Sequence, residues 1–403
     1  MGLEKRDNGK VKTILGIVSI SFALSLNAAI SPLLANIKLA FSDVSTAQIQ
    51  VVYTIIQLGA VPVLLLGGWL ASYISKKIIA FAALCMLLLG SIIGFLGYQS
   101  LGLLYVASAL IGSGTSLGQT MLFAIIADLF DDQGRATIGG LGGALFSITG
   151  VLYSSGSGWI ADSCGWRYSY LLGLITIVWM VILSLNLPNM KVPERSSRKE
   201  DSFAHAISGR YIFYVFLGIL FTVGYNAFNT NVSSYVAEKG LGNTQTSSTV
   251  LSFCLFAGIP AGLICGQLFK IVKDHFMTVA LSMLSLGLFI CAFSGNVALL
   301  CLGGFLVGVG NGLRVPGNTV VIAEMFDTKT NALGIAIYNA VGSLGGFFSP
   351  YIFKLFYSEG DSGISEKCLV IGGIIAAVAV IGHIVDGAVL APRFRARKTL
   401  KEV

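Results

Sequence analysis

Arg314 lies inside an apolar run, in the stretch GVGNGLRVPGN that covers residues 308–318. A guanidinium near the centre of a membrane helix costs about 2.5 to more than 10 kcal/mol, depending on the scale. Asn311, Arg314 and Asn318 follow the spacing i, i+3, i+7, which places them on one helical face. Other apolar runs carry polar residues at helical spacing: Asn27 with Ser31, Thr115 with Gln119, and Gln50, Tyr53 and Gln57. Asn226, Asn229, Thr230 and Ser233 share a further run, and Tyr338 and Asn339 another. No Asp or Glu stands in the middle of a run to neutralise Arg314; the nearest acids, Asp128, Glu324 and Asp386, fall at run ends. A buried cation without an internal counter-ion suits an anion that arrives from outside. A guanidinium grips a carboxylate or phosphate with two parallel bonds. Arg314 is therefore expected to anchor an anionic substrate. The competing reading is structural, because Asn, Gln and Ser in membrane helices also hydrogen-bond to neighbouring helices.

The elements that must position these residues follow from composition. Of 403 residues, 55% are hydrophobic and 11% charged, against about 25% charged in a soluble domain. Mean hydropathy is +0.82. Apolar segments of about twenty residues recur from end to end. The expectation is an all-α membrane protein with twelve transmembrane helices, near 12–35, 46–71, 78–97, 101–128, 136–161, 168–188, 211–234, 246–270, 276–295, 298–325, 331–356 and 367–391. The N-terminus has the basic start and apolar centre of a signal peptide. It is read as the first span instead, because its removal would delete the counterpart of the seventh.

Net charge is +7, and the basic residues sit in short loops, as the positive-inside rule predicts. Lys5, Arg6, Lys10, Lys12, Lys76, Lys77, Arg135, Lys270, Lys273 and Lys329 fall on one side, with the 189–210 linker and the Arg393, Arg395, Arg397 and Lys398 tail. Both termini are thus expected in the cytoplasm. The basic balance does not imply a nucleic-acid partner. The seven cysteines are scattered, with no metal-ligand spacing. His205, His275 and His383 do not cluster, and no phosphate-binding loop or Ser/His/Asp order appears. No enzyme activity, cofactor or metal is expected.

The two halves repeat. "IGSGTSLGQTMLFAIIADLFD" (111–131) aligns with "VGVGNGLRVPGNTVVIAEMFD" (307–327), matching Gly112 to Gly308, Gly114 to Gly310 and Asp128 to Glu324. Pro62 and Gly68 recur as Pro260 and Gly266, and Asn27-Ala28 as Asn226-Ala227. A nearly constant offset across several spans marks an internal duplication. The expected domains are 1–188, a linker at 189–210, and 211–403 ending in a short basic tail. Arg314 aligns with Gly118, so it is not part of the shared scaffold.

With six plus six spans and a central polar linker, the chain resembles the major facilitator superfamily over essentially its whole length. After the second span the family's loop motif reads roughly G-x-L-A-D-R-x-G-R-R. Here Gly68-Trp69-Leu70-Ala71-Ser72-Tyr73-Ile74-Ser75-Lys76-Lys77 keeps the first glycine and two bases, with Ser72 at the acid and Ser75 at the second glycine. The arginine and proline typical of the family's drug–proton antiporters are replaced by Ser108 and Ser154, whereas "GWRYSY" (165–170) resembles the family loop before span six. The resemblance implies two pseudo-symmetric six-helix bundles and alternating access to a midplane site lined by spans one, four, seven and ten. It points to a secondary transporter of a small solute, an organic anion on the strength of Arg314, or alternatively to efflux of drugs or amphipathic compounds. A non-transporting sensor or scaffold on the same fold would call for longer tails.

The residues expected to bind substrate are Arg314, Asn311, Asn318, Asn27, Ser31, Tyr53, Gln57, Thr115, Gln119, Asn226, Asn229, Thr230 and Asn339. A latch is expected from Lys76 or Lys77 to Asp128 and from Lys270 or Lys273 to Glu324, with Arg135 nearby. The expected partners are a small-molecule substrate, the lipid bilayer and a coupling ion or counter-substrate. The expected state is a monomer in a plasma membrane, of the bacterial inner type.

Overall fold

The structure, a computed structural model, describes residues 2–130, 132–188, 207–326 and 330–395; within these helices the side chains of 2–11, 68, 132–137, 139, 140 and 332 are not described. The expected linker therefore lies mostly outside the described residues, as do Lys329, Arg397 and Lys398.

Each expected span has a helical counterpart. The first is composite: α1 (Gly2–Ala23), two 3-10 turns over Leu24–Ala29 and Ser31–Leu33, then α2 (Leu34–Ala40). Next come α3 (Thr46–Leu70), α4 (Lys76–Leu96), α5 (Leu101–Leu129) and α6 (Asp132–Cys164). The sixth span opens as a 3-10 stretch, Trp166–Ile175, and continues as α7 (Thr176–Asn186). The rest are α8 (Gly209–Glu238), α9 (Thr244–Val272), α10 (Phe276–Ala292), α11 (Val297–Met325), α12 (Asn331–Lys354) and α13 (Ile364–Val385). A π-helical turn, Asp386–Leu390, follows α13.

Local chemistry sets several starts. Ser45 and Gln48 form a capping box at α3. Asn296 Oδ1 accepts the Leu299 N–H at 2.9 Å and caps α11. Among the described residues, nine stretches are long and apolar enough to cross a membrane. One of them, Thr244–Ala292, holds both α9 and α10. α6 and α12, rich in Gly and Ser, are not among the nine, although they occupy equivalent places in the repeat.

Contacts divide the chain into two compact units: Met1–Ser197 with Gly242–Ser252, and Arg198–Leu241 with Phe253–Val403. The same packing scheme occurs inside each. In the first unit α4 packs on α5, α7 on α1, and α6 on the 3-10 turn that continues α1. In the second, α10 packs on α11, α13 on α8, and α12 on α8.

The repeated glycines explain part of this. A Cβ on Gly112 would run into the Ile56 carbonyl of α3, and one on Gly308 into the Cys254 carbonyl of α9. A Cβ on Gly114 would lie 2.7 Å from the Ala83 carbonyl of α4, and one on Gly310 2.6 Å from the Ala280 carbonyl of α10. In each unit the fourth span thus packs backbone against backbone on two neighbours. Small residues allow this approach where hydrophobic exclusion no longer drives association.

Candidate functional site

In the second unit, Arg314 is half-buried on α11. Its guanidinium carbon lies 4.7 Å from the centroid of the Phe221 ring of α8, a cation–π contact. Its Nε is buried and makes no hydrogen bond, and no ion pair involves Arg314 among the described residues. The hydroxyl of buried Tyr338 on α12 interacts with both Arg314 and Asn318. Tyr214 of α8 donates to Asn318 Oδ1 at 2.8 Å, and its ring centroid lies 5.6 Å from that of Tyr338. Gly218 makes room for this arrangement, since a Cβ there would lie 2.6 Å from the Tyr338 ring. Pro316, two residues beyond Arg314, lacks an N–H and leaves the Gly312 carbonyl without its usual helical donor.

The other expected binding residues of this unit separate into two groups. Asn311 and Asn339 are half-buried. Asn226 is fully buried and donates to the Gly346 carbonyl at 2.7 Å and to Ser349 Oγ at 3.2 Å, tying α8 to α12. Asn229 donates to the Tyr225 carbonyl at 3.0 Å. Thr230 donates to the Asn226 carbonyl at 2.7 Å and is buried. For Asn226 and Thr230 this geometry favours packing over ligand contact.

In the first unit, Asn27 lies half-buried in the 3-10 turn and its carbonyl accepts the Ile30 N–H at 3.2 Å. Ser31 is buried, Tyr53 and Gln57 are half-buried, and Gln119 is exposed. Thr115 donates to the Leu24 carbonyl at 3.2 Å and so joins α5 to that turn.

The residues expected to form a latch have different partners in the two units. Lys76 Nζ lies 2.5 Å from Asp128 Oδ2 and 3.4 Å from the Ala124 carbonyl. Lys77 instead donates to the Ser184 and Leu187 carbonyls at 2.9 and 2.5 Å, capping the end of α7 as bases do at helix C-termini. The side chain of Arg135 lies outside the described residues. Glu324 corrects the expectation: its partners are Arg395, at 3.2 Å, and Arg210, at 3.6 Å, rather than Lys270 or Lys273. The turn after α9 carries its own acid, Asp274, and Arg395 bridges that acid and Glu324. A forked guanidinium serves two carboxylates at once, which an ammonium on a flexible stem does less well.

Asp386 has a partner that the sequence did not point to. It stands at the end of α13, as its place at a run end implies, and there it is 4% exposed and paired with Arg210, Nε to Oδ1 at 2.9 Å and Nη2 to Oδ2 at 3.0 Å. His383, one turn earlier, stacks edge-on against Tyr214 with centroids 5.3 Å apart. Sequence reasoning missed Arg210 because it falls at the border of the polar linker. The signal was available: an acid near the end of an apolar span needs a base at the same depth.

The model of the Major Facilitator Superfamily matches residues 13–284 and 270–401. The multidrug transporter protein MdtP of Bacillus subtilis (strain 168) is 24% identical over 123 residues, 30% of this chain and 23% of that protein. The chain thus matches less than a quarter of that relative's length. Among solved structures, the fold is similar to that of a variant of the nucleoside transporter NupG, with a TM-score of 0.77 and 14% identity, covering 93% of this chain and 99% of that one. It is also similar to the POT family transporter PepTSo, with a TM-score of 0.75 and 11% identity, covering 95% and 98%. Long apolar helices in two like-packed units and a family match over nearly the whole length lead to one conclusion: the chain belongs to the Major Facilitator Superfamily.

Proposed function

We propose that this chain is a secondary transporter that moves a small organic anion by alternating access and that Arg314 anchors it. The observation that carries the reading is the state of Arg314: half-buried in a span, without an ion pair among the described residues, and with Nε unbonded. The three acids at run ends have other partners: Asp386 is held by Arg210, Glu324 by Arg395 and Asp128 by Lys76. Phe221 covers one side of the guanidinium and the Tyr338 hydroxyl takes part of its bonding capacity, so we assign the remaining donors to a planar anion. Asn311 shares its helical face.

Localisation to a plasma membrane, of the bacterial inner type, with both termini cytoplasmic is part of the same proposal. It rests on the one-sided placement of the basic loops. We propose a monomer that couples to a counter-substrate or ion.

One observation favours efflux of drugs or amphipathic compounds instead, namely the partial likeness to a multidrug transporter. The test is thermal unfolding and liposome counterflow with panels of small carboxylates, phosphates, nucleosides, peptides and lipophilic cations. A saturable response to one anion class, lost in Arg314→Ala and partly kept in Arg314→Lys, supports the anion site. A response to lipophilic cations alone, unchanged in Arg314→Ala, overturns it.

A further inference from the structure

Five charged side chains meet at one end of the second unit. Arg395 donates through Nη1 to Asp274 Oδ2 at 3.1 Å and through Nη2 to Asp274 Oδ1. The same Nη2 reaches both Glu324 oxygens, at 3.2 and 3.3 Å. Arg210, already bidentate on Asp386, stands 3.6 Å from Glu324 through Nη1, and that Nη1 is buried with no hydrogen bond. Two guanidiniums thus serve three carboxylates, and Glu324 is shared between them.

Glu324 has two arrangements within reach. In the observed one, Arg395 holds it and a buried Arg210 donor goes unmet. In the other, it closes by a few tenths of an ångström onto Arg210 Nη1, and Arg395 leaves. The second arrangement satisfies a buried charged donor, which offsets part of what the release loses. The turn under Arg395 favours release too. Lys273 there has φ +46°, a left-handed backbone that a non-glycine residue holds only under constraint. The Phe394 ring lies 5.6 Å from the Arg210 guanidinium, so the residue next to Arg395 contacts the same cluster.

The position of Arg395 indicates what takes it. It lies at the end of the last membrane stretch, Ile364–Arg395, with its side chain 48% exposed, and Arg393 beside it is exposed. Guanidiniums at the end of a span reach headgroup depth, where an anionic surface attracts them. A phosphodiester offers Arg395 the same bidentate partner as Asp274. We propose that Arg395 is a lipid-sensitive strap. In a neutral bilayer it ties the Lys273–His275 turn to the end of α11. In an anionic bilayer a headgroup phosphate whose charge no choline cation offsets takes Arg395, and Glu324 passes to Arg210. This inference does not depend on what Arg314 binds.

The test is amide hydrogen exchange of residues 273–276 and 322–325 in the full chain, reconstituted in nanodiscs of phosphatidylcholine alone or mixed with phosphatidylglycerol. Protection in the wild type is expected to fall by about tenfold in the anionic discs. In Arg395→Ala it is expected to be low in both, while Arg395→Lys, which keeps the charge without the fork, lies between. Equal protection of the wild type in both bilayers overturns the proposal, as does Arg395→Ala matching the wild type in neutral discs. Inorganic phosphate added to neutral discs separates the sources: if it alone abolishes protection, the lipid is not the partner.

Discussion

Arg210 and Asp386 are 176 positions apart in sequence, yet they form a two-bond ion pair with each side chain 6% exposed. The pair joins the start of α8 to the π-turn after α13. Removing Arg210 leaves Asp386 a bare charge, and removing Asp386 leaves Arg210 only Glu324 at 3.6 Å; breaking a buried pair costs about 3–5 kcal/mol, whereas replacing both with apolar residues of similar size costs far less. Arg210→Ala and Asp386→Ala are each expected to lower the unfolding midpoint more than the double variant Arg210→Met with Asp386→Leu. Unfolding in detergent micelles measures the difference.

The glycines of the fourth span in each unit make a paired prediction. Gly112→Ala and Gly308→Ala push a methyl into the backbone carbonyls of Ile56 and Cys254, neither of which moves cheaply. Both variants are expected to give little monodisperse protein by size-exclusion chromatography. Gly262→Ala, whose Cβ meets nothing within 4 Å, is expected to match the wild type or exceed it by about 1 kcal/mol from helix propensity.

Lys76 and Asp128 illustrate the opposite extreme. Asp128 is 43% exposed on its side chain, so Lys76→Ala is expected to cost about 0–1 kcal/mol. A latch role appears elsewhere, in the rate of exchange between conformers. Asp128→Asn is expected to change the labelling rate of a single introduced cysteine on α5 while leaving the unfolding midpoint nearly unchanged. An unaltered labelling rate removes the latch.

Asp361, in the loop before α13, lies 2.6 Å from Lys367 in the first turn of that helix, and the ammonium together with the Ser358 N–H holds the carboxyl below the ordinary carboxylate range. A lowered folded value means the contribution to stability is present above the unfolded value and lost as pH falls through the folded one. Lys367 is exposed and Asp361 about one-third exposed, so solvent screens the pair and the effect on global stability is small. Carbon NMR of Asp361 is expected to show its titration moving to higher pH in Lys367→Ala.

Much of the architecture was legible along the chain because membrane spans obey local rules. A backbone in hydrocarbon must satisfy its own hydrogen bonds, so twenty apolar residues become a helix wherever they occur. The offset between Gly112 and Gly308 was equally readable, because duplicated packing keeps its small residues. Arg314 stood out by charge alone. Side-chain partnership was not legible. Asn226 and Asn311 look alike in sequence, yet one is spent on the Gly346 carbonyl and the other is half-buried. Glu324 was expected to meet the nearest loop lysine but meets Arg395 and Arg210. The chain's own order determined which segments cross a membrane and which residues are unusual there. Only the tertiary structure decided which of those residues satisfy one another, because hydrogen bonds and ion pairs form between helices brought together by packing, at separations that no local pattern encodes.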